Sequence, residues 1–161
     1  MNLNGMTLIV RTTARLLIGI IVVFAVYMGM TGHLGPGGGF AGGVILAATA
    51  VLIVLAFGRS AIHGIVTEGT FHLADAGGAL AFLAVGVCGW LSGSFFVNYL
   101  PRGELYSLYS GGTIVLSNVA ILIKVAAGLG GAFLSLTAFR LWTETSDPAA
   151  GLTRGDIREA R

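Results

Sequence analysis

The chain has 161 residues, 55% of them hydrophobic and only 10% charged, whereas a soluble globular domain is roughly 25% charged. This balance excludes a water-soluble fold. The nine basic and seven acidic side chains leave a net charge of +2 with no basic run interleaved with aromatics, which argues against nucleic acid as a partner. The lone cysteine, Cys88, lies in an apolar run and excludes a disulfide framework or a cysteine metal site.

Asp, Glu, Lys and Arg are absent from Leu16 to Gly58, from Ala76 to Pro101 and from Leu105 to Ile123. A helix that crosses a bilayer needs about 20 mostly apolar residues, so the chain is expected to be all-α, a polytopic membrane protein with about four transmembrane helices. The expected layout is a single transmembrane domain over 1–142 and a polar cytoplasmic tail over 143–161.

The first helix is predicted over 7–30. Arg11 and Arg15 sit in its early turns, where long basic side chains reach back to the interface. The segment runs on to Met30 with no small-residue cleavage site, so it reads as a retained helix and not as a signal peptide. A break follows at Thr31, Gly32, His33, Leu34, Gly35, Pro36, Gly37, Gly38 and Gly39. Pro36 stops the first helix, and the glycines permit unusual dihedrals and close backbone approach. The run lacks the Lys-Ser/Thr ending of a phosphate-binding loop and lies between two membrane helices, so a nucleotide site is excluded. Two readings stay open: a tight turn, or backbone that lines an ion path, since freed backbone groups at this depth must face protein or water.

The second helix is predicted over 40–57, followed by a polar connection with Arg59, His63, Glu68 and His72. The third is predicted over 75–96. Asp75, Gly78, Ala79, Phe82, Gly86, Gly89 and Gly93 share one of its faces, with Leu80, Ala84, Val87 and Leu91 on the other. Asp75 at the start of a helix reads either as a cap or first-turn charge or as a group turned towards protein or water.

A linker with Pro101, Arg102 and Glu104 leads to the fourth helix, predicted over 110–140. Thr113, Ser117, Ala120, Lys124, Gly128, Gly131 and Ser135 fall on one small and polar face, which should meet protein. Val115, Val119, Leu122, Ala126 and Phe133 form the greasy opposite side. Lys124 lies about 20 Å along this helix from Ser110, deep in the hydrocarbon. An ionised side chain there costs at least about 2.5 kcal/mol and needs a partner or a water-filled cavity. It is read as a relay beside an ion path or as a buried ion pair that joins subunits. With Asp75 at the cytoplasmic end of its helix, the expected partner is an acid from a neighbouring subunit.

His33, His63 and His72 show no i, i+4 pairing, and no metal or cofactor is expected. Four spans put both termini on one side. Arg11, Arg15, Arg59, Arg140, Arg154, Arg158 and Arg161 collect there, against Arg102 on the other, which places both termini in the cytoplasm.

At Gly32, His33, Pro36, Gly37, Gly38, Gly39, Phe40, Gly42 and Gly43 the chain resembles the MnhB/MrpB family, a small subunit of the Mrp-type multi-subunit Na⁺/H⁺ antiporters, whose motif is GH-x-x-PGGGF-x-GG. The resemblance covers roughly residues 8 to 140 and extends to the Mrp-like module of membrane-bound hydrogenases and kin of respiratory complex I. Where the antiporter pattern has Phe-Asp-Leu-Gly in the last helix, this chain has Ser117, Asn118, Val119 and Ala120, and it adds Lys124, which is similar to the hydrogenase type.

The resemblance implies a small membrane subunit, not an enzyme, of a multi-subunit Na⁺/proton antiporter. Its partners would be other subunits and the lipid bilayer, with Na⁺ and H⁺ as the transported ions. Lys124, Asp75, His33, Thr113 and Ser117 are the candidates for an ion path or buried charge. The alternatives are the same subunit in a redox-driven ion pump, and a purely structural spacer.

Overall fold

A computed structural model describes residues 7–58, 61, 67–101, 103–104, 106–108 and 110–146. Among them lie four α-helices in the order α1 (Leu8–Met30), α2 (Gly39–Phe57), α3 (Glu68–Trp90) and α4 (Thr113–Ser146). Each is long and apolar enough to cross a membrane. The described residues up to Gly131 form one compact unit, which holds all the contacts described below, and those from Ala132 form a second.

The helix α1 is about 35 Å long at 1.5 Å per residue, enough for a hydrocarbon core of about 30 Å. The hydroxyls of Thr12 and Thr13 donate to the carbonyls of Leu8 and Ile9 at 3.0 Å, which hides two polar groups within the helix itself. The helix ends at Thr31, whose backbone N–H and hydroxyl both donate to the Tyr27 carbonyl, the hydroxyl at 2.7 Å. The turn then closes through the Gly38 N–H on the Met28 carbonyl at 3.2 Å. Gly37 and Gly38 hold φ of 149° and 123°, a region that side chains disfavour. At Gly58, with φ 87°, the N–H donates to Val54 and ends α2 in the manner of a glycine C-cap.

The expectation of a third helix over 75–96 is corrected by seven residues at the start. Thr67 stands at the N-cap and α3 begins at Glu68, so Asp75 is neither cap nor first-turn charge but lies two turns inside. The helix ends at Trp90, before Ser92 and Gly93, whose φ is 113°. The chain then folds back, and the Phe96 N–H donates to the Gly86 carbonyl at 3.2 Å. The Phe96 ring stacks with Phe82 and Phe95 at centroid distances of 5.1 and 4.9 Å. Gly86 and Gly89 are thus covered by the chain's own Phe95–Val97 segment, while Leu80 and Leu91 on the other side stay exposed.

Helix α4 starts at Thr113, after Gly112 with φ 53°. Its first N–H lacks a partner within the helix, and Asn98 supplies one from the linker. The Asn98 Oδ1 accepts from the Thr113 N–H at 3.1 Å, the Thr113 hydroxyl at 3.2 Å and the Leu100 N–H at 3.3 Å. The helix runs to Ser146, past the expected end at 140, because no proline interrupts it before Pro148. Residues 143–146 of the expected tail are therefore helical. The rest of that tail, with Arg59, His63 and Arg102, lies outside the described residues.

Glycines on the other three helices receive α4. Leu122 fills the hollows at Gly29 and Gly42, Val125 packs on Gly43, and the Asn118 backbone lies over Gly39. On α3, Gly78 takes the Lys124 stem and the Ala120 carbonyl, while Phe71 lies on Gly130 and Gly131. The expected division of α4 into one packed and one greasy face is corrected here. The small, polar face meets α3, and Leu122 from the greasy side enters α1 and α2, because glycine hollows accept a large knob as readily as small residues accept each other. The core is built mainly of alanine, including Ala14, Ala25, Ala47 and Ala120. Only 11% of the first span is buried inside the chain, so most helix surface is left for lipid or for other proteins.

Candidate functional site

Among the described residues, two polar clusters bring together candidate site residues. The first is the pair Asp75 and Lys124. Asp75 sits about 10 Å along α3 from Glu68, and Lys124 about 16 Å along α4 from Thr113. The two helices run in opposite directions, and the Lys124 Nζ donates to the Asp75 Oδ1 at 2.9 Å. This corrects the expectation of an acid from a neighbouring subunit. The earlier start of α3 puts Asp75 two turns inside the helix, and the packing of Gly78 and Gly128 at the α3–α4 contact sets it beside Lys124.

Glycine makes the approach possible. A Cβ at Gly78 would stand 2.8 Å from the Lys124 Cβ and 2.9 Å from the Ala120 carbonyl, and one at Gly128 would stand 3.0 Å from the Asp75 Oδ1. Larger residues at either position would push the helices apart and break the pair. Either charge alone would be costly at this depth; together they are neutral. The side chains of Lys124 and Asp75 keep 47% and 39% of their surface accessible, so the pair opens outward from the bundle.

The second cluster surrounds the glycine-rich turn. His33 packs its ring over Gly111 and its Nε2 lies 3.3 Å from the Ser107 carbonyl. With Nε2 as donor, the neutral ring keeps an acceptor at Nδ1, and this atom is buried with no hydrogen-bond partner among the described residues. Asn118 meets the same turn from α4. Its Oδ1 accepts from the Gly39 N–H at 3.4 Å, at the N-terminus of α2, and its Nδ2 would stand 2.9 Å from a Cβ at Gly32. Sequence reasoning reads Asn118 as the position of a missing acid and misses its amide as a clasp on the turn. It misses Asn98 as well; an asparagine in a linker ahead of a helix start is the one signal there.

Of the sequence candidates, Lys124 and Asp75 come together directly. Thr113 is buried and commits its hydroxyl to Asn98. Ser117 is half-buried on the Lys124 face of α4. His33 joins the turn to the linker before α4. Among the described residues, no group of three or more His, Cys, Asp or Glu side chains is placed to hold a metal ion.

Residues 9–131 match a domain related to the MnhB subunit of the Na⁺/H⁺ antiporter. The chain is 35% identical over 92 residues to a Na⁺/H⁺ antiporter subunit of Bacillus subtilis, covering 57% of this chain and 64% of that one. It is 30% identical over 132 residues to an uncharacterised protein of Methanocaldococcus jannaschii, covering 78% of this chain and 50% of that one. The chain thus spans less than two thirds of the length of these relatives. Its fold is similar to a chain in the membrane-bound sulfane sulfur reductase, an archaeal respiratory membrane complex, with a TM-score of 0.69 and 29% identity over 81% of this chain and 57% of that one. The match from residue 9 to residue 131 takes in the glycine-rich turn, Asp75 and Lys124 together. This multi-pass membrane chain belongs to the family of domains related to the MnhB subunit of the Na⁺/H⁺ antiporter.

Proposed function

We propose that the chain is a small membrane subunit of a multi-subunit Na⁺/proton antiporter, where it supports assembly and contributes part of the wall of an ion path. The observation that carries this reading is the outward-opening Asp75–Lys124 pair inside a domain of the antiporter subunit family. A pair of charges within the hydrocarbon, half open on the bundle surface, calls for protein or water beside it. Among the described residues, four helices with one such pair do not make a full relay, so exchange is a property of the assembly. Both termini face the cytoplasm in this reading, in line with the arginine distribution.

The test is exchange in everted membrane vesicles from cells with and without the chain. Loss of Na⁺-driven proton movement on deletion, and no exchange by the purified chain alone in liposomes, is the expected outcome. Exchange by the chain alone would overturn the accessory role.

A second reading, supported by the likeness to a chain of a respiratory membrane complex, places the same subunit in a redox-driven ion pump. Identification of the subunits that purify with the chain separates the two: redox subunits carrying iron–sulfur clusters would favour the pump. A purely structural spacer is the reading that remains if Lys124→Met leaves transport by the assembled complex unchanged.

A further inference from the structure

The open side of the Asp75–Lys124 pair has a definite direction. On α3, Ala74, Ala81 and Val85 turn towards apolar crevices between the helices. Asp75 lies on the other flank of the α3–α4 contact, where Ala79, one turn further on, is exposed. On α4 the matching flank carries Lys124 and Gly128, with Ser117 two turns away and half-buried. The flank is therefore polar at its centre, with small residues at Ala79 and Gly128 and the stacked Phe82 and Phe96 rings bounding it one turn beyond Ala79.

The pair also has unused hydrogen-bonding capacity. Lys124 carries three N–H donors and a carboxylate has two acceptor oxygens, yet among the described residues one hydrogen bond joins them and no other reaches either group. Lipid tails offer nothing to the remaining donors and acceptor. Because the pair is already neutral, a further charge would be left unbalanced at this depth, whereas a neutral group that both donates and accepts would complete it. Small residues beside the pair allow a helix backbone to come close enough to bring such a group in.

We propose that this flank is the docking site for a transmembrane helix of a neighbouring subunit, which places a Ser, Thr, Asn or Gln side chain against Asp75 and Lys124. The proposal rests on the reading of the chain as one subunit of a larger membrane complex, and it assigns the pair to the assembly part of that reading instead of to the wall of an ion path.

The experiment uses the intact complex in native membranes, with a photo-crosslinking residue in place of Ala79. Illumination should join the chain to one transmembrane subunit, and peptide mapping should find the crosslink beside a Ser, Thr, Asn or Gln within a spanning segment. Ala79→Trp keeps the ion pair but blocks the approach, and should lower retention of that subunit after detergent purification by about tenfold, as expected for loss of one interhelical polar contact.

If other subunits purify with the chain but residue 79 crosslinks only to lipid, the docking site is wrong and subunit membership stands. If a cysteine at 79 in the intact complex reacts with a water-soluble maleimide, the pair faces a water-filled path, which also overturns it. If no subunit purifies with the chain, the docking site and the subunit reading fail together.

Discussion

The side chain of Leu122 on α4 stands where a side chain on Gly29 of α1 would have to go. The same leucine would also lie 3.0 Å from a Cβ at Gly42 of α2. One knob thus fits a hollow shared by two helices, and the bundle closes by shape. Lipid tails are as apolar as leucine, so association inside a bilayer depends on such packing and on polar contacts.

The glycines of this hollow should be far more sensitive than glycines elsewhere. A Cβ at Gly42 would lie 2.6 Å from the Ala25 carbonyl oxygen and 3.1 Å from the Gly29 nitrogen, backbone atoms that cannot rotate away. Gly42→Val is expected to cost about 1–3 kcal/mol through overpacking. Gly19→Ala, with nothing within 4 Å of the new Cβ, should be neutral or slightly stabilising because alanine favours the helix. Thermal unfolding in detergent, read by size-exclusion recovery, checks both. Equal losses would refute the packing argument.

Breaking the Asp75–Lys124 pair should be worse than removing it. Lys124→Met leaves a carboxylate without its partner, and Asp75→Asn leaves an ammonium. The double variant Asp75→Asn/Lys124→Met carries neither charge and should recover part of the loss. A coupling of about 1–3 kcal/mol is expected in the double-mutant cycle, measured by thermal stability of the chain in detergent. Strictly additive single effects would show that the contact contributes nothing of its own.

Asn98 tests how α4 begins. Its Oδ1 accepts three hydrogen bonds, two of them from Thr113. Asn98→Ala should cost about 1–2 kcal/mol, as loss of a helix cap does, and should speed hydrogen exchange at the Thr113 amide. Asn98→Asp keeps the acceptor and adds negative charge near a helix N-terminus, so protection of that amide should return to the level of the unmodified chain.

Asn118 makes a parallel case at α2. An acid at 118 retains an acceptor for the Gly39 N–H and places negative charge at the start of a helix. Asn118→Asp is therefore expected to fold with little loss, whereas Asn118→Leu should leave the Gly39 N–H unpaired and cost about 1–3 kcal/mol. The readout is folded yield in membranes together with thermal stability. A stable Asn118→Leu would show that the amide is not a clasp on the turn.

Much of the architecture is readable in the residues. Uncharged runs of spanning length determine four helices, because a bilayer leaves few other ways to satisfy a backbone. Pro36 and the glycines around it dictate the turn after α1, and the residues that resemble the family lie within its match over 9–131. The start of α3 is not readable in the same way. No proline stands between Glu68 and Ala74 to stop a helix, but Gly69 weakens the local signal and Asp75 resembles a cap, so local pattern favours a boundary that is wrong by seven residues.

That boundary decides the reading of the site. With Asp75 at a helix start, Lys124 has to seek its acid in another subunit; with Asp75 two turns inside, the acid lies 2.9 Å away in the same chain. The sequence by itself determined that a lysine deep in α4 needs a partner, since the cost of a lone charge in hydrocarbon follows from composition and depth alone. Which residue answers that need depends on how far two antiparallel helices slide past each other. Gly78 and Gly128, with Phe71 lying on Gly130, set that register, and packing between helices distant in sequence leaves no mark in local pattern.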